Sequence, residues 1–470
     1  MAKREVIVIG AGVSGLAAAY ALSKGPDAPR ITVLEASDRL GGKIASNDIA
    51  GHIVDAGPDA LLVRDPEVKA LLEELGLADR ITAPGARGAF VWTRNKLRAL
   101  PPATLFGVPE KLRPLVSSGL ISWRGLIRAS ADFIRPRLRL GDDPTVGAML
   151  RRRLGWVVFD KLVYPLLGGI YAGRADLLSA RSAVPEVAAI LKPARSVYLT
   201  MRAREAARPK TKGAPAPMLI NFPGGMMAIV HALASNTKAA FEFGAEVASI
   251  EMGKKRWKVF TSDGRKFKAD DVIITTPAHA AANLLRPLDA EIADALAGIP
   301  YADVANVTFV YPTSAIDKKW KGTGFLVPAV DGRFIVGCTW MDQKWGRGVL
   351  IPSGNGHPEG DEITIVRTSV GRQGDNAWLT MDDDAIASRA HAELVQAMRI
   401  KAEPLLAKVQ RWPASMPQYT VGHADRLATI DARVETLPGL HIAGAGYRGI
   451  GVAACLTKSQ AIAQRIGANA

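Results

Sequence analysis

The chain has 470 residues, 48% hydrophobic and 22% charged, with a formal net charge of +15, enough for two or three globular domains around a sizeable core. No apolar run reaches the ~20 residues of a membrane-spanning helix, and two cysteines, Cys338 and Cys455, with no C-x-x-C or His/Cys metal spacing, make neither a disulfide framework nor a metal module. The basic surplus is scattered rather than gathered into a nucleic-acid module, which leaves an anionic membrane surface, a polyacidic small molecule, or a plain solvated arginine-rich surface.

Met1-Ala2-Lys3-Arg4 runs straight into Val6-Ile7-Val8-Ile9, which reads as a core strand without a signal peptide, hence a reduced, cytoplasmic, metal-free protein. The strand leads into Gly10-Ala11-Gly12-Val13-Ser14-Gly15, an alanine-rich helix over Leu16 to Ser23, and a second strand, Ile31 to Leu34, ending on Glu35. Gly10 permits the tight turn, Gly12 leaves room for a pyrophosphate against the backbone, and Gly15 lets helix and sheet pack closely. The helix N-terminus offers free N–H groups to the phosphates, and Glu35 stands where an acid accepts from the adenosine ribose. An ordinary glycine-rich turn would not need strand, helix, second strand and terminal acid all in register.

After Glu35 comes Ala36-Ser37-Asp38-Arg39-Leu40-Gly41-Gly42-Lys43, whose glycine pair would wrap more backbone around the pyrophosphate. This run resembles the E-A-x-x-R-x-G-G-K signature of the flavin amine oxidase and protoporphyrinogen oxidase superfamily. The resemblance implies tightly held FAD, with Ala11, Val13, Ser14, Ala36, Arg39, Gly41, Gly42 and Lys43 beside the glycines and Glu35 in its site.

Ile44 to Val54 reads as a hairpin around Ala50-Gly51, followed by Gly57-Pro58-Asp59-Ala60, where the Gly-Pro pair holds the backbone off helical geometry. That loop is similar to the flavin-touching G-P-[DN]-[SA] loop of protoporphyrinogen oxidase-like enzymes. From Pro66 to about Lys210 the pattern is mostly helical: Val68, Leu71, Leu72 and Leu75 have helical spacing, and a hairpin around Arg94-Asn95 interrupts it. Leu120 to Arg128 and Phe133 to Arg139 are basic and amphipathic, suited either to an anionic membrane surface or, the preferred reading, to core helices with snorkelling arginines. Gly169-Ile170-Tyr171-Ala172-Gly173 would let a flat ring pass close to the backbone; it resembles the G-I-Y-A-G segment of protoporphyrinogen and coproporphyrinogen oxidases, with Arg174 where the family has an acid. Residues from about Ala203 to Pro217 read as a Pro/Ala/Lys-rich loop.

Strands over Glu246 to Ile250, Trp257 to Phe260 and Asp271 to Thr276 return to the nucleotide fold; by the resemblance Val247 contacts adenine. Val304 to Tyr311, Gly324 to Val327, Phe334 to Trp340 and Glu362 to Val370 are β-branched and aromatic. They predict a sheet that walls a flat hydrophobic substrate, with Phe309, Thr339 and Trp340 as pocket candidates. Arg411-Trp412-Pro413-Ala414-Ser415-Met416-Pro417-Gln418-Tyr419 matches the R-W-x-x-x-M-P-Q-Y segment of bacterial protoporphyrinogen oxidase-like enzymes. The glycine turn at Gly444 and the helix opening at Ile450-Gly451-Val452 resemble the family's flavin-facing helix N-terminus, whose amides stabilise charge on the reduced flavin.

The match is to the bacterial protoporphyrinogen/coproporphyrinogen III oxidase family. It implies an α/β fold: a Rossmann-type FAD-binding domain of the glutathione-reductase/amine-oxidase kind, a β-sheet substrate domain and a helical lobe. The expected division is 1–62, 216–298 and 411–470 for FAD, 63–215 for the helical lobe and part of the substrate domain, and 299–410 for the substrate sheet. The implied reaction removes electron pairs from a porphyrinogen, with FAD as acceptor and molecular oxygen as final oxidant, releasing peroxide; no side chain need act as acid or base. Arg64, Arg94 and Arg174 are placed to meet substrate carboxylates, beside Gly169 and Ile170. Transient contact with a ferrochelatase and peripheral membrane contact accompany this reading, and no sequence feature specifies an oligomeric state. Ala453-Ala454 stand where the family has a residue and then an acid before Cys455. That departure keeps open a related oxidase or desaturase for an amine or polyene, and a non-catalytic paralogue.

Overall fold

The computed structural model describes residues 3–101, 104–109, 112–136, 140–192, 195–207, 217–316, 320–346 and 362–468. Most of the expected Pro/Ala/Lys-rich loop, 208–216, and positions 137–139 of the basic amphipathic stretch lie outside the described residues.

The central strands of the first sheet, Glu5–Ile9 and Asp271–Ile274, are buried on both faces, as their unbroken aliphatic runs demand of a parallel sheet covered on each side. Its order is Ala239–Glu242, Arg30–Leu34, Glu5–Ile9, Asp271–Ile274, Leu440–Ile442, all parallel. The chain leaves Glu5–Ile9 toward Arg30–Leu34, which Ala239–Glu242 later extends, and Asp271–Ile274 and Leu440–Ile442 add on the other side. The crevice beyond the carboxyl end of Glu5–Ile9 is therefore a topological switch point, where such folds bind ligands. Helix Val13–Leu22 covers one face and packs against the last helix, Val452–Ala468.

The second sheet has seven strands in the order Leu406–Pro417, Tyr301–Pro312, Ile363–Val370, Ile335–Trp340, Gly324–Leu326, Phe90–Thr93, Lys96–Ala99. Leu406–Pro417 is one continuous edge strand paired along Tyr301–Pro312, so the domain boundary expected at 410/411 falls inside a strand. Alternation along each strand gives the sheet two faces. On one, Val307, Phe309, Tyr311, Cys338, Trp340 and Val366 form a core with Ile386, Ala390 and Leu394 of helix Asp383–Met398. Phe309 and Trp340 are thus core residues and not pocket residues: their period-2 register points them away from the nucleotide fold, and both are fully buried. Helix Asp383–Met398 was not anticipated; Asp382 caps it by accepting from the Ala385 N–H, an N-terminal signal the strand-rich surroundings obscured.

The opposite face of the sheet meets the nucleotide fold and the helical lobe. Val310 and Ile365 pack with Ile49 and Val54 of the hairpin Ser46–Ile49/His52–Asp55. Val91 enters the helical core with Phe159, Leu162, Val163 and Leu167. The hairpin turns are where expected: Ala50 and Gly51, and Arg94 and Asn95, all have positive φ, as the tight two-residue turn requires.

The basic amphipathic stretch forms helix Trp123–Ser130, capped by Ser122. Leu120, Ile121, Gly125 and Ala129 are buried, but Trp123 and Ile127 are 66% and 64% exposed. The preferred core-helix reading therefore fails for the outward residues: spaced i and i+4, they share the face turned from the lobe's core. No helix among the described residues is long and apolar enough to cross a membrane.

Candidate active site

The glycine turn lies at the switch point. Gly10 (φ +101) donates its N–H to the Leu34 carbonyl. A Cβ on Gly15 would overlap the Gly10 carbonyl oxygen, so the helix packs as closely as a glycine allows. Gly12 is different: its φ of −67° suits any residue, and no protein atom lies within 4 Å of the position its Cβ would take. The space in front of Gly12 is kept clear for something other than protein.

Glu35 accepts from the Ala11 N–H at 2.7 Å and from the N–H and hydroxyl of Ser37 at 2.9 and 2.8 Å. A carboxylate has about four lone-pair sites, so acceptor capacity remains for a ribose hydroxyl. Val247 follows directly: the Ala245 N–H bonds the Glu35 carbonyl at 2.8 Å, and Val247 opens the next strand. Ala36 is exposed beside Glu35. Arg39 does not reach outward; it staples its own loop, donating to the carbonyls of Gly42, Ile44 and Leu40 at 2.7, 3.3 and 3.3 Å. It is a scaffold for Gly41 (φ +101) and Gly42 (φ +57), which run beside Gly12.

Lys43 is half-buried where the nucleotide fold meets the second sheet. Its Nζ donates to the Ser415 carbonyl at 2.6 Å and lies 5.5 Å from the Tyr301 ring centroid. Burial lowers its pKa to about 8. Ser14 is buried and hydrogen-bonded to Cys455. The Gly444 turn (φ +136) and the segment Ile450-Gly451-Val452 complete the floor. Gly451 is exposed and its Cβ position is open, like that of Gly12. The Ala453 side chain joins the apolar cluster under helix Val13–Leu22, and Ala454 lies against Gly449.

The loop at Gly57-Pro58-Asp59-Ala60 is held from behind. Trp412 Nε1 and Asn306 Nδ2 donate to the Ala56 carbonyl at 3.0 and 2.9 Å. Arg367 donates to the carbonyls of Asp55 and Gly57 at 2.6 and 2.9 Å. A Cβ on Gly57 would overlap the Lys43 carbonyl. The Asp59 carboxylate points away from the crevice: Lys344 reaches it at 2.8 Å, Trp345 Nε1 at 3.2 Å and Arg367 at 3.4 Å. Burial, the largest influence, pushes its pKa up, but Lys344 and Arg367 together outweigh it and hold the group below the usual carboxylate range. Asp59 thus shapes the loop, and Gly57, Pro58 and Ala60 supply its backbone. Sequence reading missed Arg367 and Asn306; a lone arginine inside the apolar strand Ile363–Val370 was the available signal.

Two nearby carboxyls are raised. Burial lifts Asp55 to about 6, against its bonds from Asn221 and the Met226 N–H, and lifts Asp342 to about 7, against bonds from the Ile365 N–H. A folded-state pKa above the unfolded value of about 3.9 means the folded state binds more protons between the two values. These groups should therefore lower stability as pH rises from about 4 to about 7. Thermal unfolding should show that fall, and Asp342→Asn should flatten its upper part.

The substrate candidates are dispersed. Gly169 and Ile170 lie exposed on helix Tyr164–Tyr171, Gly169 against Leu326 of the sheet. Thr339 is half-buried on the sheet face opposite Trp340, paired in register with Arg367. Arg64 is bound by Glu186 at 2.6 Å and Arg174 by Asp176 at 3.1 Å. Arg94 sits at the tip of its hairpin and lines a cavity of about 190 Å³ with Trp92, Thr93, Asn95, Asp331 and Arg333.

A family model described as flavin-containing amine oxidoreductase matches residues 13–467. The chain belongs to that family. This flavoenzyme is an FAD-dependent oxidase, and the clear space before Gly12 and Gly451, with Glu35's spare acceptor sites, fits that cofactor. It is 32% identical to the coproporphyrinogen III oxidase of Bacillus subtilis over 98% of this chain and 97% of the relative. It is 34% identical to that of Mycobacterium tuberculosis over 97% and 96%. A crystal structure from Exiguobacterium sp. 255-15, provisionally named protoporphyrinogen oxidase, superposes with a TM-score of 0.86 at 26% identity, covering both chains fully.

Proposed function

We propose that this flavoenzyme oxidises coproporphyrinogen III to coproporphyrin III in haem biosynthesis, in the cytoplasm, with molecular oxygen as final acceptor and one peroxide released per electron pair. The observation that supports this reading is a face of small and flat side chains shared by helix Tyr164–Tyr171 and the second sheet. Helix Tyr164–Tyr171 exposes Gly169 and Ile170, and the neighbouring sheet face carries half-buried Leu326, Gly337 and Thr339. Such a face suits a flat tetrapyrrole. Bound FAD, held by the residues from Gly10 to Lys43, the loop at Gly57 and the helix opening at Val452, would supply the two-electron chemistry. The chain's own part is to seat the macrocycle, exclude water and aim backbone amides.

Of the three candidate arginines, Arg94 is the one without a carboxylate in ion-pair reach among the described residues, with Arg98 and Lys161 near it. We assign it a substrate carboxylate. Arg94→Gln should raise KM about tenfold, the worth of one charge-assisted hydrogen bond, with kcat nearly unchanged, in a porphyrin-fluorescence assay. The overall reading is tested by mixing coproporphyrinogen III anaerobically with the enzyme: stoichiometric bleaching of the flavin absorbance supports it, and an unbleached spectrum refutes it.

We also propose peripheral attachment to the inner membrane surface through Trp123, Ile127, Ile134 and Trp156, between 62% and 81% exposed. Arg124 lies over the Trp123 ring, and Arg128 and Arg135 bond the carbonyls of Arg152 and Arg153 beside Trp156, so the apolar residues are set among cations suited to anionic lipid. Co-sedimentation with anionic vesicles at low salt should occur and be lost in Trp123→Ser/Ile127→Ser. A transient contact with a ferrochelatase, which would consume the porphyrin, completes the partner reading.

A further inference from the structure

Gly169 to Gly173 and Arg411 to Tyr419, far apart in the chain, are halves of one contact. Gln418 is fully buried and donates Nε2 to the Tyr171 carbonyl at 2.6 Å and to the Met416 carbonyl at 2.9 Å. Its Oε1 fills the space a Cβ on Gly173 would need, which explains the glycine there. Between them Ala172 takes a left-handed conformation (φ +47°), ending the helix that carries Gly169 and Ile170. That strained turn persists because Gln418, and Gln373 donating to the Ala172 carbonyl at 2.7 Å, hold it on both sides.

Tyr419 serves the other wall. Its hydroxyl donates to the Ala445 carbonyl at 2.6 Å and accepts from the Gly449 N–H at 2.9 Å, tying together the turn that leads into Ile450-Gly451-Val452. Its ring stacks on His423 with centroids 4.1 Å apart, and His423 Nε2 bonds the Tyr447 carbonyl at 2.9 Å, a third point on the same turn. The Tyr171 ring meets the Tyr419 ring edge-on at 5.9 Å.

We propose that Gln418 and Tyr419 are a positioning pair that sets the two walls of the cleft relative to each other. Tyr419, backed by His423, holds the turn whose following amides face the flavin. Gln418 holds the end of the helix that borders the substrate, and this half rests on the porphyrinogen reading. Neither touches the reacting atoms.

The test separates the two halves. Tyr419→Phe deletes one oxygen and no ring. It should raise the FAD dissociation constant about tenfold, as expected for losing one well-aligned hydrogen bond, and make the flavin reduction potential more negative, because the reduced anion loses aimed amides. Gln418→Met should keep wild-type FAD affinity and potential but raise KM for porphyrinogen. His423→Gln should shift FAD affinity and potential in the direction of Tyr419→Phe, and decides the matter if that variant does not fold. The flavin measurements need no porphyrinogen, so they stand even if the substrate reading fails. A wild-type potential and FAD affinity in a folded Tyr419→Phe, or the same shifts in Gln418→Met, would overturn the proposal.

Discussion

Gly12→Val should give a protein that folds normally and fails to bind FAD. The residue's φ and ψ, −67° and 172°, are comfortable for valine, and nothing in the protein approaches its Cβ position. A folding penalty has no source. The branched side chain would instead stand where the pyrophosphate meets the backbone. We expect apoprotein stability within about 0.5 kcal/mol of wild type and FAD affinity weakened by at least about a hundredfold, or roughly 3 kcal/mol. Gly15→Ala should do the reverse kind of damage. Its Cβ overlaps the Gly10 carbonyl and approaches Thr275 Oγ1 to 2.9 Å, so helix and strand must part. Overpacking of this kind costs about 1–3 kcal/mol or more, and should appear in the unfolding of the apoprotein itself. Thermal denaturation without FAD, with a flavin-fluorescence titration, distinguishes the two.

Arg367→Met should be the most destabilising single change on the sheet face. The guanidinium is buried and joins two loop carbonyls and the Asp59 carboxylate. Methionine fills much of the volume but leaves both carbonyls without this donor and Asp59 with Lys344 and Trp345 only. Breaking one partner out of a buried ionic network costs about 3–5 kcal/mol. We expect the lower end, about 3 kcal/mol, in urea unfolding, because Lys344 remains. The loop at Gly57 should loosen, so FAD affinity should fall as well. Arg367→Lys should recover only part of both, since an ammonium lacks the fork that spans two carbonyls. Acid gives a parallel test: the depressed Asp59 stabilises the fold above the unfolded pKa of about 3.9, and that contribution is lost as pH falls below it toward the folded pKa.

The nucleotide fold was legible because its requirements are local. Gly10, Gly15 and Glu35 each answer a constraint set within forty residues of the N-terminus, and the structure shows each constraint as a turn, a close approach or a bonded carboxylate. The hairpin tips at Ala50-Gly51 and Arg94-Asn95 were legible for the same reason. What failed depended on register across distant strands. Phe309 and Trp340 were chosen as aromatic wall residues, but facing is fixed by pairing with Ile363–Val370, and one residue of shift decides between cavity and core. Arg39 was placed in the FAD site because the motif contains it, and the structure adds a role the motif does not state, its fork bonding three carbonyls of its own loop. The roles of Arg367, Gln418 and Tyr419 could not be read locally, since their partners lie in other chain segments.

The most direct test of the account is a porphyrin-fluorescence time course in air, with matched coproporphyrinogen III and protoporphyrinogen IX and peroxide followed in parallel. The account predicts porphyrin formation well above autoxidation, faster with coproporphyrinogen III, with one peroxide per electron pair. No acceleration with either porphyrinogen, by enzyme that still holds its FAD, would contradict it.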